Sequence, residues 1–202
     1  MKLFYAPGVC SLSPHIALRE AGLTFDLQKV DTKTKAMEGD GNYLEINPKG
    51  YVPLLQLDDG SYLSEGPVIA QYIADLKPES KLAPPNGTME RYRLQEWLGF
   101  LNSEVHKSFG PLFKPTTPEE YKTAMREQLA GRFDYISAQL KGKQYLMGDT
   151  FTVADGYLFT LIGWTKWTHI DLSRWPVLEE FMARVAARPA VQDALRAEGL
   201  LK

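Results

Sequence analysis

Cysteine and histidine are scarce in this sequence. The 202 residues include one cysteine, Cys10, and three histidines. A single cysteine excludes an internal disulfide and a cysteine-rich metal site, and it is typical of a protein kept in a reducing compartment. His15, His106 and His169 are too widely separated along the chain to form a metal-binding motif. The sequence therefore predicts no metal site.

Long apolar runs and an excess of either charge are also missing. No stretch approaches the length of apolar residues that spans a bilayer. The net charge is −2, with acidic and basic residues interleaved. Nucleic acids and anionic membranes bind basic surfaces, so neither is expected as a partner. The apolar opening stretch ends at Pro7-Gly8, too early for the core of a signal peptide, and we expect a cytoplasmic protein.

The single cysteine lies in a predicted strand–turn–helix unit at the start of the chain. Residues 2–5 form a short apolar strand, Pro7-Gly8 breaks it, and a helix begins with Ser11 or Ser13 as its cap. Cys10 therefore precedes a helix N-terminus, whose unpaired N–H groups and dipole favour a thiolate over a thiol. The alternative is that Cys10 is only a small buried apolar residue. Its position in a turn favours a reactive role.

A second strand, a hairpin and a second helix are predicted to complete this first unit. The second strand covers residues 25–30, and Asp58-Asp59-Gly60 has the composition of a hairpin turn. Ser64 is predicted to cap a helix over residues 65–77. Five apolar residues fall on one face of that helix, which is expected to pack on the sheet: Val68, Ile69, Tyr72, Ile73 and Leu76. The order of these elements predicts an α/β unit with a four-stranded mixed sheet.

The turn before that helix has its own binding chemistry. Ser64-Glu65-Gly66 presents a carboxylate beside the free backbone N–H groups of a helix N-terminus. The N–H groups suit an anion and Glu65 suits a cation, so a zwitterionic amino-acid head group fits the turn. Glu65 could equally serve only to complement the helix dipole.

The rest of the chain is predicted to be helical. Residues 77–87 are rich in proline and polar residues, the composition of a domain boundary. Thr88 is predicted to cap a helix that ends near Ser108, with this core-facing stripe: Leu94, Trp97, Leu98, Leu101 and Val105. The opposite face is small, polar and almost uncharged, which indicates a cover from another domain, a subunit or a ligand: Gln95, Gly99, Asn102, Ser103 and His106.

Four further helices follow in the predicted order. They are expected over residues 118–140, 156–164, 176–187 and 189–198. Thr152 and Asp155 form a capping box before the second of them. That helix is apolar on nearly all sides, so it is expected to be the buried centre of the helical part.

Taken together, these features resemble the glutathione S-transferases, and within them the bacterial beta class. The resemblance covers essentially the whole chain. It rests on the β-α-β-β-β-α order and on five motifs in their order: Cys10, Tyr51-Val52-Pro53, Ser64-Glu65-Gly66, His106 and the Thr152-to-Asp155 box. It implies a thioredoxin-like domain over residues 1–80, which binds glutathione, and an all-helical domain over residues 87–202, which forms the pocket for the second substrate.

The resemblance also implies roles for individual residues. Pro53 would follow a cis peptide bond and expose the Val52 backbone, on which the cysteinyl part of glutathione adds as a short strand. Glu65 and the Gly66 amide would hold the γ-glutamyl head group. The remaining assignments place Lys35 at the glycyl carboxylate, Cys10 beside the glutathione sulfur, and His106 with Ser103 closing the site.

A pocket for an apolar electrophile is implied as well, with these walls: Tyr5, Val9, Phe109, Phe113, Trp164 and Thr168. One position departs from the pattern of the family. Gly99 stands where an asparagine is expected, so a side-chain hydrogen bond to glutathione is unavailable from that position.

The function implied is conjugation of glutathione to small hydrophobic electrophiles. Glutathione is then a co-substrate, no prosthetic group is expected, and the protein is expected to form a homodimer. Two alternatives stay open at this stage. One is a glutathione-dependent thiol–disulfide reductase that works through a Cys10–glutathione mixed disulfide. The other is a non-catalytic protein that binds hydrophobic ligands.

Overall fold

The structure, a computed structural model, describes residues 1–39 and 41–201. The N-terminal part contains four strands and three helices: β1 (Lys2–Tyr5), α1 (Leu12–Glu20), β2 (Asp26–Lys29), α2 (Tyr43–Ile46), β3 (Leu54–Gln56), β4 (Tyr62–Ser64) and α3 (Gly66–Leu76). The sheet has the order β2-β1-β3-β4. β1 and β2 are parallel, while β1–β3 and β3–β4 are antiparallel. The predicted mixed sheet is confirmed.

The C-terminal part is helical. Its elements are α4 (Met89–Phe100), a π-helical segment (Leu101–His106), α5 (Lys107–Phe113), α6 (Glu119–Leu140), α7 (Val153–Gly163), α8 (Thr165–Thr168), α9 (Pro176–Ala186) and α10 (Pro189–Ala197). Every residue of α7 from Val153 to Ile162 is buried, as expected of the central helix. α1 packs against α3, α7 and α10, so the two parts share one core. Within the described residues, no helix is long and apolar enough to cross a membrane.

Two of the predicted caps are confirmed. The Thr88 hydroxyl accepts a hydrogen bond from the Arg91 N–H at the start of α4. At the start of α7, the Asp155 carboxylate accepts from the Thr152 N–H at 2.8 Å and also from the Leu146 N–H at 2.8 Å. The second bond ties the preceding loop to the helix.

Of the other predicted caps, Ser11 occupies the N-cap position of α1 but makes no capping hydrogen bond, and Ser64 is not the cap of α3. Ser64 ends β4, and Glu65 precedes α3 with a φ of 70°. Ser11 does precede α1, but its hydroxyl binds both polar backbone groups of Ala6, at 3.2 and 3.1 Å. Because that hydroxyl closes the turn after β1, it is not available to the helix.

The apolar face predicted for α3 is also wrong in part. Ile69 and Ile73 are fully buried, but Val68 is 46% exposed and Leu76 is 41% exposed. Ala70 and Ala74 are buried instead, because α3 packs closely against α1 and α7 as well as the sheet. Small residues fit such a close contact better than valine or leucine.

A π-helical segment interrupts the long helix predicted to end near Ser108. It spans Leu101–His106, and α5 continues to Phe113. A π-turn closes i to i+5 hydrogen bonds and therefore holds more residues than the 3.6 of an α-turn. The faces that a regular helix predicts before residue 101 do not continue unchanged after residue 106.

Two bidentate ion pairs join the N-terminal and C-terminal parts. Both terminal nitrogens of Arg91 bind the Asp75 carboxylate, each at 2.8 Å. Arg188 binds the Glu20 carboxylate at 2.6 and 2.8 Å. Paired N–H···O bonds fix both distance and orientation, so they set how the two parts meet.

Candidate functional site

The turn after β1 brings Cys10 beside the residue that precedes Pro53. The thiol donates a hydrogen bond to the Val52 carbonyl oxygen, with Sγ and O 3.2 Å apart. The Val52–Pro53 peptide bond is cis, as the resemblance implies. Val52 itself is buried, and the loop before it is fixed because Tyr43 and Asn47 both donate to the Tyr51 carbonyl.

The thiol of Cys10 is held in its neutral form. Burial raises its pKa to about 11, although the N–H groups of Cys10 and Ser11 oppose this rise. The helix N-terminus was expected to favour a thiolate, and that expectation is wrong. The free-energy cost of removing a thiolate from water is larger than the stabilisation that the helix dipole gives it. At neutral pH Cys10 is therefore a hydrogen-bond donor.

A charged pair lies at the start of α3. Lys49 Nζ is 3.1 Å from Glu65 Oε1 and 3.3 Å from the Ser64 hydroxyl. Both charged side chains are more than half exposed, so the pair contributes little to stability and opens at small cost. Sequence reasoning identified Glu65 but missed Lys49. Lys49 lies in the loop just before Tyr51-Val52-Pro53, and that position was the feature of the sequence that could have indicated its role.

His106 is held by a tyrosine from the central helix. His106 Nδ1 lies 2.7 Å from the Tyr157 hydroxyl, which donates to Asn102 Oδ1 at 3.1 Å. Since the tyrosine proton goes to Asn102, the network assigns a proton to Nδ1 and leaves Nε2 as an acceptor. Burial, and then Lys107, lower the His106 pKa to about 4, so the imidazole is neutral at pH 7. Burial also raises the Tyr157 pKa, so its hydroxyl stays protonated.

A cavity of about 430 Å³, here called the polar cavity, lies between the sheet and α4–α5. It brings together Cys10, Val52, Pro53, Glu65, Gly66 and His106 from the predicted site. Three other walls belong to motifs or to the polar face identified in the sequence: Tyr51, Ser64 and Asn102. The remaining walls were not predicted: Asn47, Lys49, Pro67, Lys107, Gly110, Lys114 and Tyr157. With three lysines and one glutamate, this cavity favours a ligand with more negative than positive charges.

A second cavity of about 440 Å³, here called the apolar cavity, adjoins the first. The two share Cys10, His106 and Gly110. Three of the predicted wall residues line it: Val9, Phe113 and Trp164. Its other walls are Pro7, Gly8 and Trp167. Trp167, which is 56% exposed, was not predicted because nothing in the sequence separates it from a surface aromatic residue.

The other predicted wall residues lie in the core. Tyr5, Phe109 and Thr168 are all buried, and none lines either cavity. Phe109 packs edge-on against Trp164, with ring centroids 5.5 Å apart. The Thr168 hydroxyl donates to the Trp164 carbonyl at 3.0 Å. Both residues therefore support the wall of the apolar cavity from behind.

Two predicted glutathione contacts lie outside the polar cavity. Lys35 Nζ donates to the Gly50 carbonyl oxygen at 2.9 Å, which fixes the loop beside Tyr51. Ser103 is exposed in the π-helical segment and does not line the cavity. Asn102 lines it instead, because the wider turn rotates Ser103 away from His106. A side chain at Gly99 would meet no atom within 4 Å, so the missing asparagine leaves open space.

A third hollow, of about 760 Å³, lies between α4 and α6, away from the Cys10 turn. Trp97, Phe100 and Tyr135 form its aromatic floor. Over residues 1–39 and 41–201, no group of three histidine, cysteine, aspartate or glutamate side chains could hold a metal ion.

Comparison with known proteins shows the family. The glutathione S-transferase N-terminal domain model matches residues 9–76, and the C-terminal domain model matches residues 100–189. The chain is 48% identical over 200 residues to glutathione S-transferase GstA of Escherichia coli O157:H7, a match that covers 99% of this chain and 100% of the relative.

Two solved structures extend the match to three dimensions. The ternary complex of BphK, a bacterial glutathione S-transferase, superposes with a TM-score of 0.97 at 57% identity and covers 99% of this chain and 100% of the other. The beta-class glutathione S-transferase of Sphingomonas chungbukensis superposes with a TM-score of 0.96 at 48% identity, over 100% of both chains. The chain belongs to the glutathione S-transferase family, in its bacterial beta class, and is an enzyme that uses glutathione.

Proposed function

We propose that this enzyme conjugates glutathione to small hydrophobic electrophiles, with the glutathione sulfur beside Cys10. The observation that carries the proposal is the contact between two unlike cavities. A charged cavity suited to a peptide and an apolar cavity suited to an electrophile share Cys10, His106 and Gly110. A sulfur at that junction is close to both substrates, and such proximity accelerates a two-substrate reaction.

The Lys49–Glu65 pair suits the γ-glutamyl end of glutathione. That end carries one ammonium and one carboxylate group. Glu65 binds the ammonium and Lys49 the carboxylate, so one exposed ion pair is replaced by two charge-assisted contacts. The Gly66 N–H, in the first turn of α3, adds a donor for the carboxylate. Val52 offers its backbone to the cysteinyl residue, as in strand addition.

Two residues then act on the glutathione sulfur, and Tyr157 orients one of them. His106 accepts the thiol hydrogen at Nε2 and orients the sulfur, while Tyr157 fixes the imidazole. The proton leaves to water, since a His106 pKa of about 4 is too low to retain it. The neutral Cys10 thiol exchanges its hydrogen bond to the Val52 carbonyl for one to the thiolate, and each unit by which the glutathione pKa falls corresponds to about 1.4 kcal/mol. The thiolate attacks the electrophilic carbon, a C–S bond forms, and the leaving group departs with its electron pair.

The wider assignments follow from this arrangement as proposals. Residues 1–80 form the glutathione-binding domain, and residues 87–202 supply most of the electrophile pocket. Lys35 reaches the glycyl carboxylate when it leaves the Gly50 carbonyl, and Ser103 contributes from the exposed side of the site. Conjugation needs no prosthetic group because glutathione itself is the nucleophile. A homodimer in the cytoplasm is the expected state, and a monomer in sedimentation at micromolar concentration would contradict it.

One observation favours a second activity, the reduction of glutathione mixed disulfides. The single thiol of the chain lies at the junction of the two cavities. In this reaction Cys10 attacks the sulfur of the bound glutathionyl group and releases the substrate thiolate. Free glutathione then attacks the Cys10 mixed disulfide, giving oxidised glutathione and the free thiol. A Cys10 pKa of about 11 makes this slow at neutral pH, so we rank it second.

Both activities are tested with Cys10→Ala and Cys10→Ser. Wild type and variants are assayed against alkyl and aryl halides of increasing size and against a glutathionylated peptide. We expect conjugation to persist in both variants, with Ser closer to wild type because its O–H can still donate, and we expect reductase activity to vanish in both. If wild type conjugates none of the electrophiles, the proposal is wrong.

The apolar cavity is tested separately with Phe113→Ala. The side chain stacks on Phe109 at the edge of that cavity. Its loss is expected to raise KM for apolar electrophiles about tenfold, since it removes apolar contact area, while KM for glutathione stays close to wild type. If KM for glutathione rose as much as KM for the electrophile, the electrophile would not bind in the apolar cavity.

A further inference from the structure

Gly8 is held by side chains from the far end of the chain. Its N–H donates to Glu198 Oε2 at 2.8 Å, and its carbonyl oxygen accepts from the Trp164 indole N–H at 2.8 Å. Both polar groups of this one residue are thus bound by the helical part. The other Glu198 oxygen lies 2.9 Å from His15 Nδ1 on α1.

This arrangement lies in the interior. The side chains of Glu198 and His15 are both fully buried. A buried carboxylate is costly unless its oxygens are hydrogen-bonded, and here each oxygen has a partner. Neither the transferase chemistry nor the cavities make use of Glu198.

Gly8 is also a position where another residue would be strained. Its φ is +71°, in the left-handed region. A Cβ there would lie 3.2 Å from the Trp167 ring and 3.5 Å from Leu200. The tail after α10 and the α8 segment therefore close over the turn, and the next two residues, Val9 and Cys10, face the cavities.

We infer that Glu198 is a positioning residue for the transferase reaction. By accepting the Gly8 N–H it fixes the turn that places Cys10 at the junction of the two cavities, and Trp164 holds the same turn from the carbonyl side. The inference rests on the proposed role of Cys10 for its catalytic consequence. The geometry of the turn itself is independent of that role.

The test is the alkylation rate of Cys10 by iodoacetamide, measured by mass spectrometry without glutathione or electrophile. Cys10 is the only cysteine, so the signal belongs to one site. In Glu198→Ala the turn loosens and the thiol becomes more exposed, and we expect alkylation to accelerate about tenfold, the effect of one or two lost hydrogen bonds. kcat is expected to fall by a similar factor while KM for glutathione changes little, because Lys49 and Glu65 are untouched.

Two further variants separate positioning from stability. Glu198→Gln keeps an oxygen for the Gly8 N–H but turns an N–H₂ group toward His15 Nδ1, which is itself a donor because Nε2 accepts from Arg19, so it is expected to restore the alkylation rate and kcat only in part. Asp75→Asn weakens the interdomain ion pair between Asp75 and Arg91, which does not contact Gly8. This variant is expected to lower the thermal midpoint without changing Cys10 alkylation. If Glu198→Ala lowers the midpoint but leaves Cys10 alkylation unchanged, Glu198 is only structural and the inference is wrong.

Should Glu198→Ala fail to fold, Glu198→Asp gives the same test. It keeps the carboxylate but shortens the side chain by one methylene group, so the two oxygens no longer reach the Gly8 N–H and His15 Nδ1 together. Faster Cys10 alkylation in this variant supports the inference, and an unchanged rate overturns it. Because the assay contains neither substrate, its result stands even if conjugation assays contradict the proposed function.

Discussion

Cys10 donates its thiol hydrogen to the Val52 carbonyl oxygen, 3.2 Å away, so the one thiol of the chain is bonded to the backbone expected to bind glutathione. A bound cysteinyl residue and the Cys10 thiol therefore meet at the same short segment. The thiol keeps its hydrogen because burial raises its pKa to about 11. In this state Cys10 is a hydrogen-bond donor, which under the proposed function would stabilise a neighbouring thiolate rather than compete with it as a nucleophile.

We expect Cys10 in the glutathione-free protein to react slowly at pH 7. Alkylation proceeds through the thiolate, so its rate is expected to rise with pH toward the Cys10 pKa of about 11. The measurement is iodoacetamide labelling over a pH series, with a cysteine-containing peptide as the control. A plateau below pH 8 would contradict the raised pKa.

Glu65→Gln and Lys49→Met are expected to raise KM for glutathione by about tenfold or more, since each removes one charge-assisted contact. Thermal stability is expected to change little because the pair is exposed. Glu96→Gln is the matched control, since it breaks the exposed pair with Arg93 outside both cavities. A normal KM in both test variants would show that the γ-glutamyl end binds elsewhere.

Protonation of His106 is expected to make the free energy of unfolding depend on pH. Its pKa is about 4 in the folded protein, below the ordinary 6.5. Between these values the unfolded chain binds more protons, so the free energy of unfolding falls as the pH is lowered through this window. Chemical denaturation of wild type and His106→Gln at several pH values measures the difference. A wild-type curve parallel to that of the variant between pH 4 and 6.5 would contradict the lowered pKa.

The same histidine is expected to show no protonation step in kcat/KM above pH 5. Tyr157→Phe removes the hydroxyl that fixes its ring, and we expect kcat to fall severalfold, about the effect of one hydrogen bond. Asn102→Ala is the companion variant, since it removes only the acceptor of the Tyr157 hydroxyl. Unchanged kinetics in Tyr157→Phe would restrict the tyrosine to a structural role.

Asp155→Ala is expected to destabilise the protein by about 2–4 kcal/mol, because it leaves the buried N–H groups of Leu146 and Thr152 without their acceptor. Thr88→Ala is the matched control, since it removes a half-buried cap at the start of α4 and is expected to cost about 1 kcal/mol. Urea denaturation measures both. If the two variants lost the same free energy of unfolding, burial would not increase the contribution of the Asp155 cap to stability.

Patterns of residues predicted most of the fold. Element order, the capping box and the central helix follow from apolar spacing and from turn residues, which act over a few positions. Helix ends agree within one or two residues except at two places. α7 begins at Val153, three residues before the predicted start, and near His106 the π-helical segment alters the spacing. A pattern with the 3.6-residue period of an α-helix cannot predict a switch to π-helical spacing.

The site was harder to predict because it depends on contacts between distant residues. The turn position of Cys10 predicts a reactive thiol, yet its pKa is set mainly by burial, which the local sequence does not show. Tyr5 and Phe109 carry the same aromatic pattern as Phe113, but only packing decides which of them lines a cavity. Glu198 lies 190 positions from Gly8, a distance at which sequence spacing carries no information.

The π-helical segment Leu101–His106 has a consequence for insertions and deletions in this enzyme. The residues before it and those after it belong to two helices with separate phases. Removal of one residue here would rotate everything after it by about 100° relative to α4. Gly110 and Phe113 would then turn away from the cavities they line. The length of this segment therefore decides which residues of α5 line the cavities, even where the segment's own side chains lie outside them.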